Sequence, residues 1–221
     1  MADLDATADL LWRAKPVKEA RPRLSADMIV GVAVSIADDE GLAALSMQRV
    51  AKELGCTSMA LYRYVTGKDE LVTAMADTAM GRPPAPSGDD WRAEVEGVVE
   101  AMWRMFLAHP WVARVPATGA PLGPNGLAWF EALLAPLSRT SLDRAELIPM
   151  ATFVTSAVRD LARVQHDTDT AAAADYGRVL ARRVTPYRFP VLMSLLGAPE
   201  ESDVTPVVTV GLRRLLAGIT G

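Results

Sequence analysis

Residues 81–88 read Gly-Arg-Pro-Pro-Ala-Pro-Ser-Gly, and no regular element can run through them. The three prolines remove backbone donors, and each pushes the residue before it away from helical dihedrals. The chain therefore divides at an irregular linker over residues 81–90. On both sides of it apolar residues recur at helical spacing and strand signals are scarce, so the expectation is an all-α protein with no internal repeat.

Before the break, Ser25 is placed to cap a helix carrying Met28, Ile29, Val32, Ala33, Ile36 and Ala37 on one stripe, with Gly41 beyond its end. Ser46 opens a shorter helix with Met47, Val50, Ala51 and Leu54 on one side and Gly55 as its stop. A second short helix is predicted from about Ser58 to Tyr64, interrupted at Gly67. A fourth begins near Lys68, with Asp69 and Glu70 in the first turn, where the helix dipole favours anions. After the break, one long helix runs from Asp90 to His109, and a loop covers residues 116–126. Further helices are predicted over 127–138, 143–166 (after a Ser141 cap), 170–184, 187–196 and 206–219, the last opened by Thr205-Pro206.

Composition excludes several classes. The 221 residues, 50% apolar and 23% charged, suffice for a core without staples. One cysteine makes no internal disulfide, and with only two histidines neither a metal site nor any cofactor is expected. The acidic start is no secretory signal. The longest nearly apolar stretch, residues 147–158, is too short and polar to span a bilayer. A cytoplasmic protein with no membrane partner is the expectation. Residues 91–221 contain no paired carboxylates, nucleophile–base set or phosphate-binding glycine loop, which argues against an enzyme.

Charge is uneven. Residues 13–23 carry Arg13, Lys15, Lys18, Arg21 and Arg23 against Glu19 alone, whereas residues 24–80 carry four cations against eight acids. Bulk charge thus gives no support to nucleic-acid binding by the second region. Two short amphipathic helices joined by a glycine-containing turn nevertheless have the build of a helix-turn-helix, with Val50, Leu54 and Leu61 as the pins and Leu61 as core.

Across the whole of residues 24–80 the order of residues closely resembles the N-terminal domain of the tetracycline-repressor (TetR) family. The stretch Ala60-Leu-Tyr-Arg-Tyr-Val-Thr-Gly-Lys-Asp-Glu-Leu71 is similar to that family's recognition helix and its junction to the fourth helix. The resemblance implies a helix-turn-helix DNA-binding domain followed, over 91–221, by a helical ligand-binding and dimerisation domain. It further implies a DNA-binding transcriptional regulator, a repressor released from palindromic double-stranded operator DNA by a small apolar or amphipathic effector.

Carried over by position, Ser46 and Gln48 would meet phosphate and a base edge. Thr57, Ser58, Met59 and Ala60 would face the major groove. Tyr62 and Tyr64 would bond phosphates, Arg63 would reach guanine or backbone, and Lys68 would meet a phosphate. A core role for the Tyr62 ring remains an equal alternative. Residues 1–23 are expected to be a disordered basic arm, either touching DNA or merely solvated. Cys56 reads as a small turn residue, with a redox role as the alternative.

The resemblance also implies an effector pocket between residues 90–109, 127–138 and 143–166, lined by Trp103, Phe106, Leu107, Trp129, Leu133, Phe153 and Ala157. In tetracycline-binding members a histidine after the long helix ligates magnesium; its counterpart here is Pro116, which argues against a metal–tetracycline effector. Arg159 and Asp160 read as a surface pair, with a position facing the pocket as the alternative. A homodimer is implied through helices near 143–166 and 204–219, with residues 68–80 as the lever between domains. Two other readings stay open: an all-α ligand-binding or scaffold protein with a non-functional helix-turn-helix, and a helical enzyme using the aromatic cavity.

Overall fold

The computed structural model describes residues 4–12, 24–86, 88, 90–116, 123–167, 170–196 and 207–220. Among these residues the fold is all-α. The helices are α1 (Leu4–Leu11), α2 (Ala26–Glu40), α3 (Met47–Glu53), α4 (Ser58–Leu61), α5 (Lys68–Met80) and α6 (Trp91–Ala108). They continue as α7 (Pro124–Leu137), α8 (Arg144–Asp167), α9 (Thr170–Arg183), α10 (Pro190–Leu196) and α11 (Val207–Ala217). Short 3-10 turns cover Leu42–Ala44 and Pro110–Arg114.

Caps predicted from single residues form as expected in the first half. Ser25 is extended, and its hydroxyl accepts from the Met28 amide at 3.2 Å. Ser46 does the same for Arg49 at 3.1 Å. Gly41 ends α2 at φ +81°, a value that favours glycine, and its amide donates to Ala37. The buried side of α2 is Ile29, Val30, Ala33, Ile36 and Ala37. Met28, expected on that stripe, is 37% exposed, because Val30 takes the inward direction instead. This side packs on α5, whose Leu71 and Met75 are fully buried.

Four local expectations need correction. Residues 4–11 of the stretch expected to be a disordered arm are helical: Leu10 is buried at 8% exposure and α1 packs on α5. The five basic residues of 13–23 lie outside the described residues. At α8 the cap is Asp143, not Ser141. The Asp143 carboxylate accepts from Ala145 and Glu146, while Glu146 accepts from the Asp143 amide at 2.8 Å, a reciprocal capping box. Ser141 instead ties the loop to the C-terminal end through Thr220.

Arg159 forms no surface pair. It reaches across to donate to the carbonyls of Ala113 (2.9 Å) and Val115, which the 3-10 turn leaves unpaired, and burial lowers its pKa. Asp160 pairs with Arg163 at 2.8 Å. Finally, the recognition segment is α-helical only over Ser58–Leu61; Tyr62–Tyr64 continue as a turn closed by Tyr64 N–H to Leu61 O at 2.8 Å. Thr205-Pro206 lies outside the described residues.

In the second half α6, α7 and α8 pack on one another and α11 closes against α6 and α8. Val95, Met102, Leu133, Leu137, Val158 and Leu216 are all at 1% exposure or less. Val208 and Leu212 are buried here too, so part of the apolar surface read as a dimer face is used within the chain.

Candidate DNA-binding site and its joint to the second half

The turn between α3 and α4 is set by Gly55 at φ +64°, after which the Cys56 amide returns to Ala51 O at 2.9 Å. Leu61 is fully buried and is the anchor that fixes how α4 projects. What then faces outward follows from the period of the helix. Met59 is 75% exposed and Tyr62 47% exposed, while Thr57 and Arg63 are also exposed. Tyr62 is therefore no core aromatic. Ser58 and Ala60 are half-buried, and the half-buried Tyr64 ring lies 5.8 Å under the Arg63 guanidinium.

The expected contact residues of the flanks are placed as follows. Gln48 is exposed at the start of α3, and the Ser46 hydroxyl accepts its cap bond while keeping its hydrogen to donate. Lys68 is exposed at the start of α5, and its ammonium donates to Leu45 O at 2.7 Å, leaving two further donors for solvent or phosphate.

Much of the acid excess of residues 24–80 lies away from the segment 54–68, although Asp69 is exposed beside Lys68. Residues 54–68 contain no Asp or Glu, and contain Arg63 and Lys68. Glu40 and Glu53 are bridged by Arg49 at 2.7 and 3.0 Å. Glu70 is buried and accepts the Thr66 amide at the start of α5. Of the other five, Asp38 and Asp77 face the second half of the molecule, and Asp27, Asp39 and Asp69 are exposed.

Three fasteners hold the two halves together. Asp38, near the end of α2, accepts at one carboxylate oxygen from Trp111 Nε1 at 2.6 Å and meets His109 Nδ1 at 2.8 Å. His109 turns to this carboxylate because the adjoining 3-10 turn packs on α2. Asp77, on the buried side of α5, caps α7 from outside that helix. Its carboxylate accepts from the Gly126 amide at 2.8 Å and the Asn125 amide at 3.3 Å, and Asn125 Nδ2 returns a bond to Asp77 O at 2.9 Å. Burial raises the Asp77 pKa, and the bonds from Gly126 and Asn125 oppose that rise. A Cβ on Gly123 would fall inside this carboxylate. Third, the Trp129 indole donates to Met80 O at 3.1 Å and Gly81 O at 3.0 Å, stopping the end of α5.

The seven residues expected to line an effector pocket are not gathered around one opening. Phe106, Trp129 and Leu133 are part of the common core, with Trp103 packed against it. Leu107 is 40% and Phe153 60% exposed, and Ala157 is half-buried. The reason is helical phase: α8 turns Ala151, Val154, Val158 and Ala162 inward, which directs Phe153 outward. Sequence reasoning missed Asp38, Asp77, Trp111 and Asn125. Asp77 alone left a signal, as an acid on the apolar side of α5 beside Leu71, Ala74 and Met75. Among the described residues no group of three or more His, Cys, Asp and Glu is gathered as for a metal ion, and no helix is long and apolar enough to cross a membrane.

Comparison with known proteins agrees with this geometry. Residues 29–75 match the family of bacterial regulatory proteins of the tetR type, and residues 83–221 match the tetracyclin repressor-like C-terminal domain. The HTH-type transcriptional repressor DrrR1 of Streptomyces coeruleorubidus is 34% identical over 236 residues, covering 98% of this chain and 86% of the relative. An HTH-type transcriptional regulator of Saccharopolyspora erythraea is 33% identical over 148 residues, covering 65% of this chain and 63% of its own. Among solved structures, the TetR family protein ActR of Streptomyces coelicolor in complex with actinorhodin superposes with a TM-score of 0.78 at 30% identity, over 90% of this chain and 96% of that one. With a helix-turn-helix in one half, an α-helical bundle in the other and both family models matched, this chain belongs to the TetR family of transcriptional regulators.

Proposed function

We propose that the chain is a ligand-responsive repressor, acting as a homodimer on palindromic double-stranded operator DNA and released by a small apolar or amphipathic effector. The observation that carries this reading is the acid-free, outward-facing segment 54–68, fastened through α5 to an α-helical second half. DrrR1 is named a repressor, and ActR has been crystallised with actinorhodin and with (S)-DNPA. Those names support a repressor with a small-molecule effector here.

Physically, Thr57, Ser58 and Met59 open the recognition segment toward base edges. Tyr62, Tyr64, Ser46, Gln48 and Lys68 supply hydroxyls, an amide and an amine for phosphates, and Arg63 serves either role. Ser58-Met59-Ala60 offers few strong base readers, so part of the selectivity comes from DNA shape. One such helix reads too few bases, and a two-fold partner places a second copy roughly 34–36 Å away, one groove turn along. The partner face is α8 with α11: Phe153 (60% exposed) and Val164 (46%) share one outward line of α8, and Val210 (51%) extends it on α11.

Release requires an effector that prefers the conformer with misspaced recognition helices, with a coupling on the order of 1–3 kcal/mol that acts reciprocally on DNA and effector. Asp77 and Trp129 make α5 and the start of α7 move as one body, so a shift of α7 reaches the recognition helix. Bulky substitution at Ala76 or Met80 is expected to change the induction curve out of proportion to effector affinity.

The test is a gel shift of the full chain against the DNA upstream of its own gene, over a range of salt. Retarded DNA whose affinity falls steeply with salt is the expected result. Salt-independent or absent binding would favour the ligand-binding reading with a silent helix-turn-helix.

A further inference from the structure

A groove of about 440 Å³ runs along the outer side of α6, between the end of α5, the start of the linker and α7. Its size falls within the range of small-molecule sites, roughly 300–1,000 Å³. The floor is apolar, from Met80, Met105 and the edge of Trp129. The rim is cationic: Arg82 comes from the linker and Arg104 from α6, with His109 at one end. No ion pair is formed by Arg82 among the described residues. Among the described residues Arg104 meets only Glu100, at 3.4 Å, with both side chains more than two-thirds exposed, a pair too solvated to hold the guanidinium. His109 has its Nδ1 against Asp38.

We propose that this groove is a binding site for a small organic anion with a flat apolar body, separate from any space between Phe106 and Leu133 inside the bundle. Charge complementarity selects the occupant. A carboxylate or sulfonate between Arg82 and Arg104 satisfies two guanidinium groups that the chain itself leaves in solvent, while an aromatic body covers Met80 and Met105. None of the groove residues lies on α8 or α11, so the site stays open in the dimer proposed above. It also touches two of the three fasteners, His109–Asp38 and Trp129–Met80, where an occupant bears directly on the joint.

Isothermal titration of the full chain, without DNA, with naphthalene-2-carboxylate tests the site. Saturable binding is expected at one molecule per chain, at least about tenfold weaker for the neutral naphthalene-2-carboxamide. The double variant R82Q/R104Q is expected to lose a similar factor, whereas R178Q, on α9, is expected to bind as the wild type does. Equal binding of acid and amide, retention of full affinity by the double variant, or no saturation would overturn the proposal. The acid–amide comparison needs no variant and so stands even if the double variant misfolds. Because DNA is absent, failure here leaves the repressor reading untouched, and failure of the gel shift leaves this site untouched.

Discussion

Two residues carry opposite kinds of information. Arg63 is exposed, cationic and locally placed, and its replacement by alanine is expected to weaken operator affinity by about 1–3 kcal/mol where it reads a base. Anisotropy titration against operator DNA measures this, and unchanged affinity would remove Arg63 from the interface. Asp77 is buried and acts within the protein. Asp77→Ala leaves the Asn125 and Gly126 amides without an acceptor, and a loss of about 1–2 kcal/mol in denaturant unfolding is expected, as for other lost helix caps.

The Asp77 pH dependence has a definite sign. Since burial raises its pKa from 3.8, its ionisation-linked stability is fully present below that value and is lost as pH climbs through the folded value. The wild type should therefore lose stability relative to Asp77→Asn on going from strong acid toward neutrality; a constant difference over that range would contradict the raised pKa. Caps such as Ser25 and Ser46 were legible because their partners lie three residues away. Asp38 and Asp77 were not, because the groups they bond lie 48 to 73 positions further along and meet them only through packing.

Elements differ in how they are stabilised. A helix of four residues such as α4 has no independent stability in water. It persists because Leu61 is buried and Gly55 fixes the corner, which is why its existence could be read from the sequence but its length could not. The first helix is the reverse case. It falls in the stretch expected to be a disordered arm, yet Leu10 buries itself on α5. Leu10→Ala is expected to lower stability by about 2 kcal/mol, read from the denaturant midpoint. Deleting residues 1–22 therefore removes a packed helix along with the basic run. Changing Arg13, Lys15, Lys18, Arg21 and Arg23 to glutamine separates the two: a contact of that run with phosphate predicts a shallower dependence of operator affinity on salt, and an unaltered slope assigns it to solvent.

At the scale of the whole molecule, the homodimer proposed above would cover exposed apolar surface. Besides Phe153 and Val210, the stretch around α10 leaves Tyr187 at 96% and Val191 at 70% exposure. Phe153→Glu is expected to shift the protein toward single subunits in sedimentation and to weaken operator binding in step; a monomeric wild type would remove the symmetric reading altogether.

The acids that joined the two halves also limit how freely such halves can be exchanged. Transplanting residues 24–80 onto another protein's bundle would strand Asp38 and Asp77 unless the recipient offered an indole, an imidazole and a pair of helix-opening amides in the same places. Shuffling between relatives at the proline-rich seam is thus a matter of matching donors to acceptors, and hybrids that swap the seam without them should be poorly folded rather than merely unresponsive.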